Sequence, residues 1–298
     1  MRSGNTVNAA PHDAVVALAA EIAIAAAAEA GLGIRAGLSG ALEVRPKGGS
    51  GDLVTSLDLR SEAIIVGRLR RAFPDHRILA EESGLLDGAD EAWCWVVDPL
   101  DGTNNIAVGL PVYSIGIALC HFGVPVFGVV HEPTTGRTWS AIRGHGARGP
   151  NGPLRRRRTS PPLAGPTLAW LQGYPVARTD PTARALRLTL ESGARRLIQL
   201  WSPLLCWIML SRGDIDGFVG YRAGVVDLPA GSLIARESGI TLTGFDGAPL
   251  DDRIDPVGQE VSFLAARPDL LSDLTLLVKS AADVTVSGLG GPAIPISR

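Results

Sequence analysis

The stretch Trp95-Val96-Val97-Asp98-Pro99-Leu100-Asp101-Gly102-Thr103-Asn104-Asn105 decides how the rest of this chain is read. It opens in a continuous apolar run, residues 93–97, of the kind a buried strand makes. It then carries Asp98 and Asp101, three apart around Pro99, with Gly102 and Thr103 directly behind. Proline fixes the local turn, so both carboxylates can converge on one point. A helix starting at Gly102-Thr103 would leave its first amide groups unpaired and able to receive phosphate oxygens. Upstream, Ile78-Leu79-Ala80 reads as a short strand running into Glu81-Glu82-Ser83, and downstream Asp227 stands just ahead of a predicted helix. Glu81, Asp98, Asp101 and Asp227 at strand exits and helix starts form the hard oxygen donor set that magnesium prefers. Paired ions in such a site would activate a water and stabilise the leaving oxygen of a phosphate ester.

The chain has 298 residues, 46% of them hydrophobic, enough for one large domain or two closely packed lobes. With 28 basic against 30 acidic residues the formal charge is −2. Nothing global attracts nucleic acid or a membrane surface, so neither is expected as a partner. The cysteines, Cys94, Cys120 and Cys206, are far apart, flanked by apolar residues and without a CxxC, which predicts buried free thiols. The alanine-rich segment 14–30 contains Glu21 and Glu29 and lacks a basic flank, so it reads as a soluble helix and not a signal peptide. No uninterrupted apolar run reaches membrane-spanning length, which makes the cytoplasm the default location.

Asp13 reads as the N-cap of this first helix and Gly31 to Gly33 as its end, and a second helix is predicted over residues 59–73, stopped by Pro74. Strands are predicted at 113–120, 124–131 and 137–142, and a Gly/Pro/Arg-rich loop at 144–162. That loop divides a lobe over 1–150, carrying most of the metal ligands, from a lobe over 151–298, carrying Asp227 and the substrate-side residues, within one compact unit. Beyond it strands near 168–171, 197–201, 217–221, 240 and 263 alternate with helices near 181–192, 204–211, 228–238 and 268–279, which predicts a second sheet covered by helices.

Taken together these residues resemble the inositol monophosphatase family, part of a lithium-sensitive, magnesium-dependent phosphatase group. The long stretch quoted above is similar to that family's W-x-x-D-P-[IL]-D-G-T-x-N signature. Ala80-Glu81-Glu82-Ser83 resembles G-E-E-S, and Asp52-Leu53-Val54-Thr55-Ser56-Leu57-Asp58 resembles D-x-V-T-x-x-D. Residues 144–152 are similar to G-x-G-A-x-x-N-G. Asp227 to Gly231 with Glu237-Ser238-Gly239 resemble W-D-x-A-A-G and E-[AS]-G. The resemblance implies a layered α-β-α-β-α sandwich with two sheets, an α+β or α/β fold, and a homodimer. It implies two or three Mg2+ ions: Glu81, Asp98 and the Leu100 carbonyl at the first, Asp98, Asp101 and Asp227 at the second, with Glu81 reaching a third through water. Thr103, paired with Asp52, would help Glu81 prepare the attacking water, and the amides of Gly102 and Thr103 would grip the phosphate.

The chain departs from the family pattern at Val226, where a Trp is usual, at Pro229, at Asn104 and at Trp201-Ser202-Pro203. Seven residues before Asp227, where inositol-specific members place an acid, stands Gly220, followed by Tyr221 and Arg222. Arg222 is a candidate contact for a second phosphate or other anion. The run Arg155 to Arg158 lacks interleaved aromatics and reads as a solvated loop. The five histidines form no metal spacing, and there is no serine-nucleophile elbow. The expected activity is hydrolysis of a small polyol, sugar or nucleoside phosphate by metal-activated water. Two alternatives stand beside it: a nucleotide 3′-phosphatase or sugar bisphosphatase using Arg222, and a non-catalytic phosphometabolite-binding regulator.

Overall fold

The computed structural model describes residues 9–40, 42–47, 51–156, 164–254 and 260–284. Helix α1 (Ala9–Gly37) is followed by a small hairpin of β1 (Val44–Lys47) and β2 (Asp52–Thr55), and by helix α2 (Ser56–Ala72). Next come β3 (His76–Ala80), β4 (Gly84–Leu86), β5 (Asp90–Asp101), the short helix α3 (Thr103–Ala107), β6 (Ser114–His121), β7 (Val124–Glu132), β8 (Arg137–Ile142), β9 (Ala147–Gly149) and β10 (Gly152–Pro153). These eight strands form one sheet in the order β10-β9-β8-β7-β6-β5-β3-β4. The later elements are β11 (Thr167–Gln172), α4 (Pro181–Gly193), β12 (Arg196–Ile198), α5 (Pro203–Arg212), β13 (Gly217–Ala223), α6 (Pro229–Glu237), β14 (Thr241–Thr243), β15 (Val261–Ala266) and α7 (Pro268–Ser280). Their strands form a five-stranded mixed sheet, β12-β11-β13-β15-β14.

Three apolar cores give the layers. Ala19, Ala23, Ala26, Ala27 and Ala30 of α1 and Ile65 and Leu69 of α2 are buried with Trp95, Val97, Ile115 and Ile117 on the outer face of the first sheet. On the opposite face, Cys94, Val96, Ala118 and Val130 pack with Leu204 and Trp207 of α5, Ala230 and Ile234 of α6, and Phe218 and Phe263 of the second sheet. Leu186 and Leu190 of α4 and Leu274 and Val278 of α7 close the far face of the second sheet. The order is therefore α-β-α-β-α. Alternate residues of β5 enter different cores because strand side chains alternate between faces, and both faces of this strand are covered.

Several local expectations are corrected. Helix α1 begins before Asp13, so Asp13 lies within it and not at its N-cap. Gly31 and Gly33 do not end it. A Cβ on Gly31 would meet the His131 ring at 2.7 Å, so glycine lets the helix press onto β7. Helix α1 has the length and mean hydropathy to cross a membrane, yet its alanine stripe is buried against α2 and the first sheet. Segment 144–162 is not all loop: β9 and β10 extend the first sheet to Pro153, and of the arginine run Arg157 and Arg158 lie outside the described residues. All three cysteines are free and buried.

Candidate active site

The parallel pairing of β3 with β5 sets the two upstream carboxylates side by side. Ala80 is the register partner of Val97, and the Glu81 amide donates to the Val97 carbonyl at 3.1 Å. Glu81 therefore leaves its strand beside Asp98, which lies within β5 just before the pairing with β6 shifts register between Asp98 and Asp101, so the expected strand exit falls after Asp101 instead. The turn after Asp98 is held from inside: the Leu100 amide donates to Asp98 Oδ1 at 3.1 Å, and Ser61 Oγ of α2 donates to the Pro99 carbonyl at 2.6 Å. Gly102 has φ 101° and is the N-cap of α3, with no side chain capping the helix. A Cβ there would meet the Val112 carbonyl at 2.7 Å, so only glycine permits this helix start.

Asp227 comes from the other sheet. It follows β13 and precedes Pro229, the first-turn proline of α6, but its carboxylate does not cap that helix. It is free to face the cluster, while its own carbonyl accepts from Trp207 Nε1 at 3.2 Å. Asp101 is held from two sides: its Oδ2 accepts at 2.9 Å from Ser114 Oγ, on its register partner in β6, and, at the start of α5, from Ser202 Oγ at 2.7 Å and the Leu204 amide at 2.9 Å.

The electrostatics record how close these groups are. Burial pushes the Asp98 carboxyl well above its ordinary value, and Glu81, Asp101 and Asp227 push it further. Burial raises Glu81 too, against the pull of Lys47. Burial raises Asp227 as well, with Asp101, Glu81 and Asp52 adding to the shift. Asp101 rises to about 7 through burial, against the opposing pull of its three donors and with Glu81 adding to the rise. Asp98 and Asp101 are almost without solvent contact, whereas Glu81 and Asp227 keep some.

One protein cation is present at the rim. Lys47 Nζ lies 2.8 Å from Glu81 Oε1 and also pairs with Glu82. Burial works against this ammonium, and the two glutamates more than reverse that, raising its pKa. The charge deficit deeper in the cleft remains. Among the described residues no three His, Cys, Asp or Glu side chains are closed round a point as a ready cation cage. What the structure provides is a gathered set of hard oxygen donors whose mutual repulsion a divalent cation would relieve, so the donor chemistry fits magnesium. A cavity of about 740 Å³ beside Arg77, Cys94, Cys120 and Ile254 touches none of these carboxylates. The donor set, not cavity size, marks the site.

The hydroxyl of Thr103 does not pair with Asp52. It donates to Asp58 Oδ1 at 2.6 Å and contacts the Leu100 carbonyl at 3.0 Å. Asp58 is fully buried at the start of α2, where its Oδ2 also accepts from the Thr55 amide at 2.8 Å and from the Thr55 hydroxyl. This is the reciprocal capping box of α2, and the T-x-x-D spacing of Thr55 and Asp58 is the sequence signal that reveals it. Asp52 instead receives the Leu53 amide at 2.8 Å. Burial raises its pKa, against the pull of Lys47. Glu62, also missed by sequence reasoning, accepts from the Glu82 amide at 2.8 Å and from Ser83 Oγ, fixing the turn that carries Glu81. Ser114 and Ser202 carry no signal of their own: Ser114 acts through the register of β6 on β5 and Ser202 through the packing of α5 between the sheets.

Arg222 does not join the acidic cluster. Its guanidinium pairs with Glu260 and its backbone has φ 52°. Gly220 has no room for a larger residue: a Cβ would lie 2.2 Å from the Phe263 ring, its neighbour across the strand pair. An aromatic ring thus fills the space where an acid would otherwise project.

A sequence profile described as the Inositol monophosphatase family matches residues 17–279. A protein of Pasteurella multocida named Nus factor SuhB is 36% identical over 198 residues, covering 66% of this chain and 73% of that protein. An Inositol-1-monophosphatase of Synechocystis is 35% identical over 212 residues, covering 70% and 72%. The crystal structure of the extragenic suppressor protein suhB of Bartonella henselae superposes with a TM-score of 0.78 at 26% identity, covering 88% of this chain and 98% of that one. The name Nus factor, borne also by relatives of Vibrio cholerae and Escherichia coli each 34% identical to this chain, overturns the expectation that nucleic acid can be excluded as a partner. That expectation rested on net charge, a global average, whereas nucleic-acid binding depends on local basic surface.

Proposed function

The chain belongs to the inositol monophosphatase family, and from that premise we propose that it is a magnesium-dependent phosphomonoesterase acting on a small polyol, sugar or nucleoside phosphate. One observation carries this reading: Glu81, Asp98, Asp101 and Asp227, from two parts of the fold, raise one another's carboxyls, and among the described residues the cation paired with the set is Lys47, on Glu81. Glu81, Asp98 and the Leu100 carbonyl would hold one Mg2+, Asp98, Asp101 and Asp227 a second, and Glu81 would reach a third through water. Bound there, magnesium supplies Lewis acidity toward the phosphate and lowers the pKa of water.

The chain's own residues do the positioning. The start of α3, with the amides of Gly102 and Thr103, receives phosphate oxygens. Asp58 accepts the Thr103 proton and so turns a lone pair of Thr103 Oγ1 outward, where it can accept a hydrogen bond from the nucleophile. Glu81, whose Oε1 is tied to Lys47, would serve as the base for that nucleophile, with Asp52 near Lys47 as well. The reading includes inhibition by lithium and a cytoplasmic homodimer whose contact includes the exposed Val108, Leu110 and Trp201 near α3. Sedimentation equilibrium tests the dimer.

Phosphate release from a panel of inositol, sugar, histidinol and nucleoside phosphates, with Mg2+ and with chelator, tests the activity. Turnover of at least one ester that needs Mg2+ is expected; silence across the panel with magnesium bound would leave the regulator reading. Arg222, engaged by Glu260, gives the bisphosphatase alternative no support. The relatives' name favours a second reading, a Nus-factor-like association with nucleic acid alongside catalysis. Fluorescence anisotropy with single-stranded RNA across a salt series tests it. Retention at physiological salt supports the association, and absence of binding at low salt removes it.

A further inference from the structure

One aromatic side chain of the second sheet reaches over to the phosphate end of the cleft and has no part in holding metal. Tyr174 lies two residues beyond β11. Its hydroxyl accepts from Asn104 Nδ2 at 2.8 Å, and Asn104 is the residue after Thr103. The phenol also stands near Asp52, whose carboxylate it helps hold down, and it feels Asp227 and Asp101. These are groups from β2, from the end of β5 and from the approach to α6. Tied to Asn104 at the start of α3, the Tyr174 hydroxyl is held on the side of the acidic cluster.

The chain is built to put it there. Gly173 packs so tightly on the end of β13 that a Cβ would sit 1.7 Å from the Arg222 carbonyl, so no other residue fits without moving that strand end. The Gly173 amide donates to the Tyr221 carbonyl at 3.0 Å. The Val176 amide donates back to the Gly173 carbonyl at 3.0 Å, and Gln172 Nε2 donates to the Val176 carbonyl at 3.2 Å. Pro175 then restricts the Tyr174 backbone to extended conformations. A tight turn, pinned on both sides, thus projects one tyrosine toward α3.

Tyr174 is nonetheless 46% exposed, although its hydroxyl is bonded. Tying down the polar end while leaving the ring open gives a fixed apolar wall, the form in which an aromatic contributes contact area at little conformational cost. At Gly220, the position seven residues before Asp227, no side chain is available to meet the alcohol half of a substrate with hydrogen bonds. Apolar contact to a ring is the recognition that Tyr174 offers instead.

We propose that Tyr174 is the specificity-determining residue for the alcohol half of the substrate, selecting phosphate monoesters of cyclic alcohols, such as cyclitols and sugars, whose C–H face packs on its ring, over esters of short linear alcohols. This rests on the phosphomonoesterase reading above and names its substrate class. The test compares the full chain with Tyr174→Ala and Tyr174→Phe on a cyclitol phosphate, a hexose phosphate and glycerol 2-phosphate, all with Mg2+. In Tyr174→Ala the ratio of kcat/KM for the cyclic esters to that for glycerol 2-phosphate falls about tenfold, mainly through KM. Tyr174→Phe keeps the ring and loses the tether to Asn104, so the ratio falls by a smaller factor. An unchanged ratio in a folded Tyr174→Ala protein, checked by circular dichroism and melting temperature, overturns the proposal, as does an equal loss on all three esters. If the wild-type chain hydrolyses none of them, the phosphatase reading fails by itself. The tyrosine is then judged by calorimetric binding of the cyclic esters against inorganic phosphate. Weaker binding of the esters alone in Tyr174→Ala sustains its role, and equal weakening of both removes it.

Discussion

The ends of β5 and β13 both deliver acid to the same cleft, but they do so in opposite ways. At β5 the delivery is local. Strand, proline turn, glycine and short helix follow one another within eleven residues, and the adjoining β3 adds Glu81 through a parallel register. At β13 it is remote. Asp227 and the Ser202 and Leu204 donors reach Asp101 and its neighbours only because α5 and α6 pack between the two sheets. A locally encoded site needs short-range conformational preferences; a remotely encoded one needs the whole core to be assembled. The candidate cleft is the place where the two meet.

That contrast can be broken region by region. Asp98→Asn strikes the local half, which shares both proposed ions, and lowers kcat/KM by roughly 10³-fold or more in a phosphate-release assay. The melting temperature of the chelated variant is expected to stay level or rise, because one member of a repelling set is neutralised. Asp227→Asn strikes the remote half and lowers turnover by roughly 10²- to 10³-fold. A full loss from Asp227→Asn with none from Asp98→Asn would reverse the ranking of the two regions. Asp58→Asn leaves every proposed ligand in place and disturbs the partner of Thr103 and the capping box of α2. Activity falls roughly 10- to 100-fold, and weakening of the α2 cap costs about 1 kcal/mol in a denaturant melt.

The two regions also share a proton balance. In chelated protein Asp101 sits at about 7 in the fold against 3.8 as an ordinary aspartate, so the folded state holds a proton that the unfolded chain has released. Its contribution to stability is full below pH 3.8 and is lost as pH rises to about 7. The chelated protein should therefore lose stability across that interval relative to the same protein with Mg2+, measured by paired thermal melts. Parallel pH profiles with and without Mg2+ would count against cation binding at this cluster. The smallest effect is expected from Arg222→Ala, less than about twofold on kcat/KM, because its charge is engaged by Glu260 on an exposed edge.

Much of the first region was legible before any coordinates. The β5 run, the Gly102 helix start and the Glu81 strand exit each carry a local reason and stand where the sequence predicts, whereas Pro99 falls within β5, at a shift of register, and not beyond its end. The pairing of Thr103 was read onto the wrong aspartate. Asp52 and Asp58 lie in one short element, and only the capping box tells which of them turns inward. Ends of elements were less legible still: Gly31 ends nothing, because its missing side chain serves packing on His131 and not termination.

The sequence by itself determined the chemistry on offer: which residues could supply hard oxygen donors, and that strands would lead into them, since turn preference and apolar patterning act over a few residues. The tertiary structure alone decided which of these groups meet. It brought Asp227 near Asp98, gave Asp101 its three donors, set Asp58 under Thr103, turned Arg222 away to Glu260 and tied Tyr174 to Asn104. The reason is physical: such contacts span tens of residues of chain, and no local preference specifies them until burial of the inter-sheet core fixes where each loop must emerge.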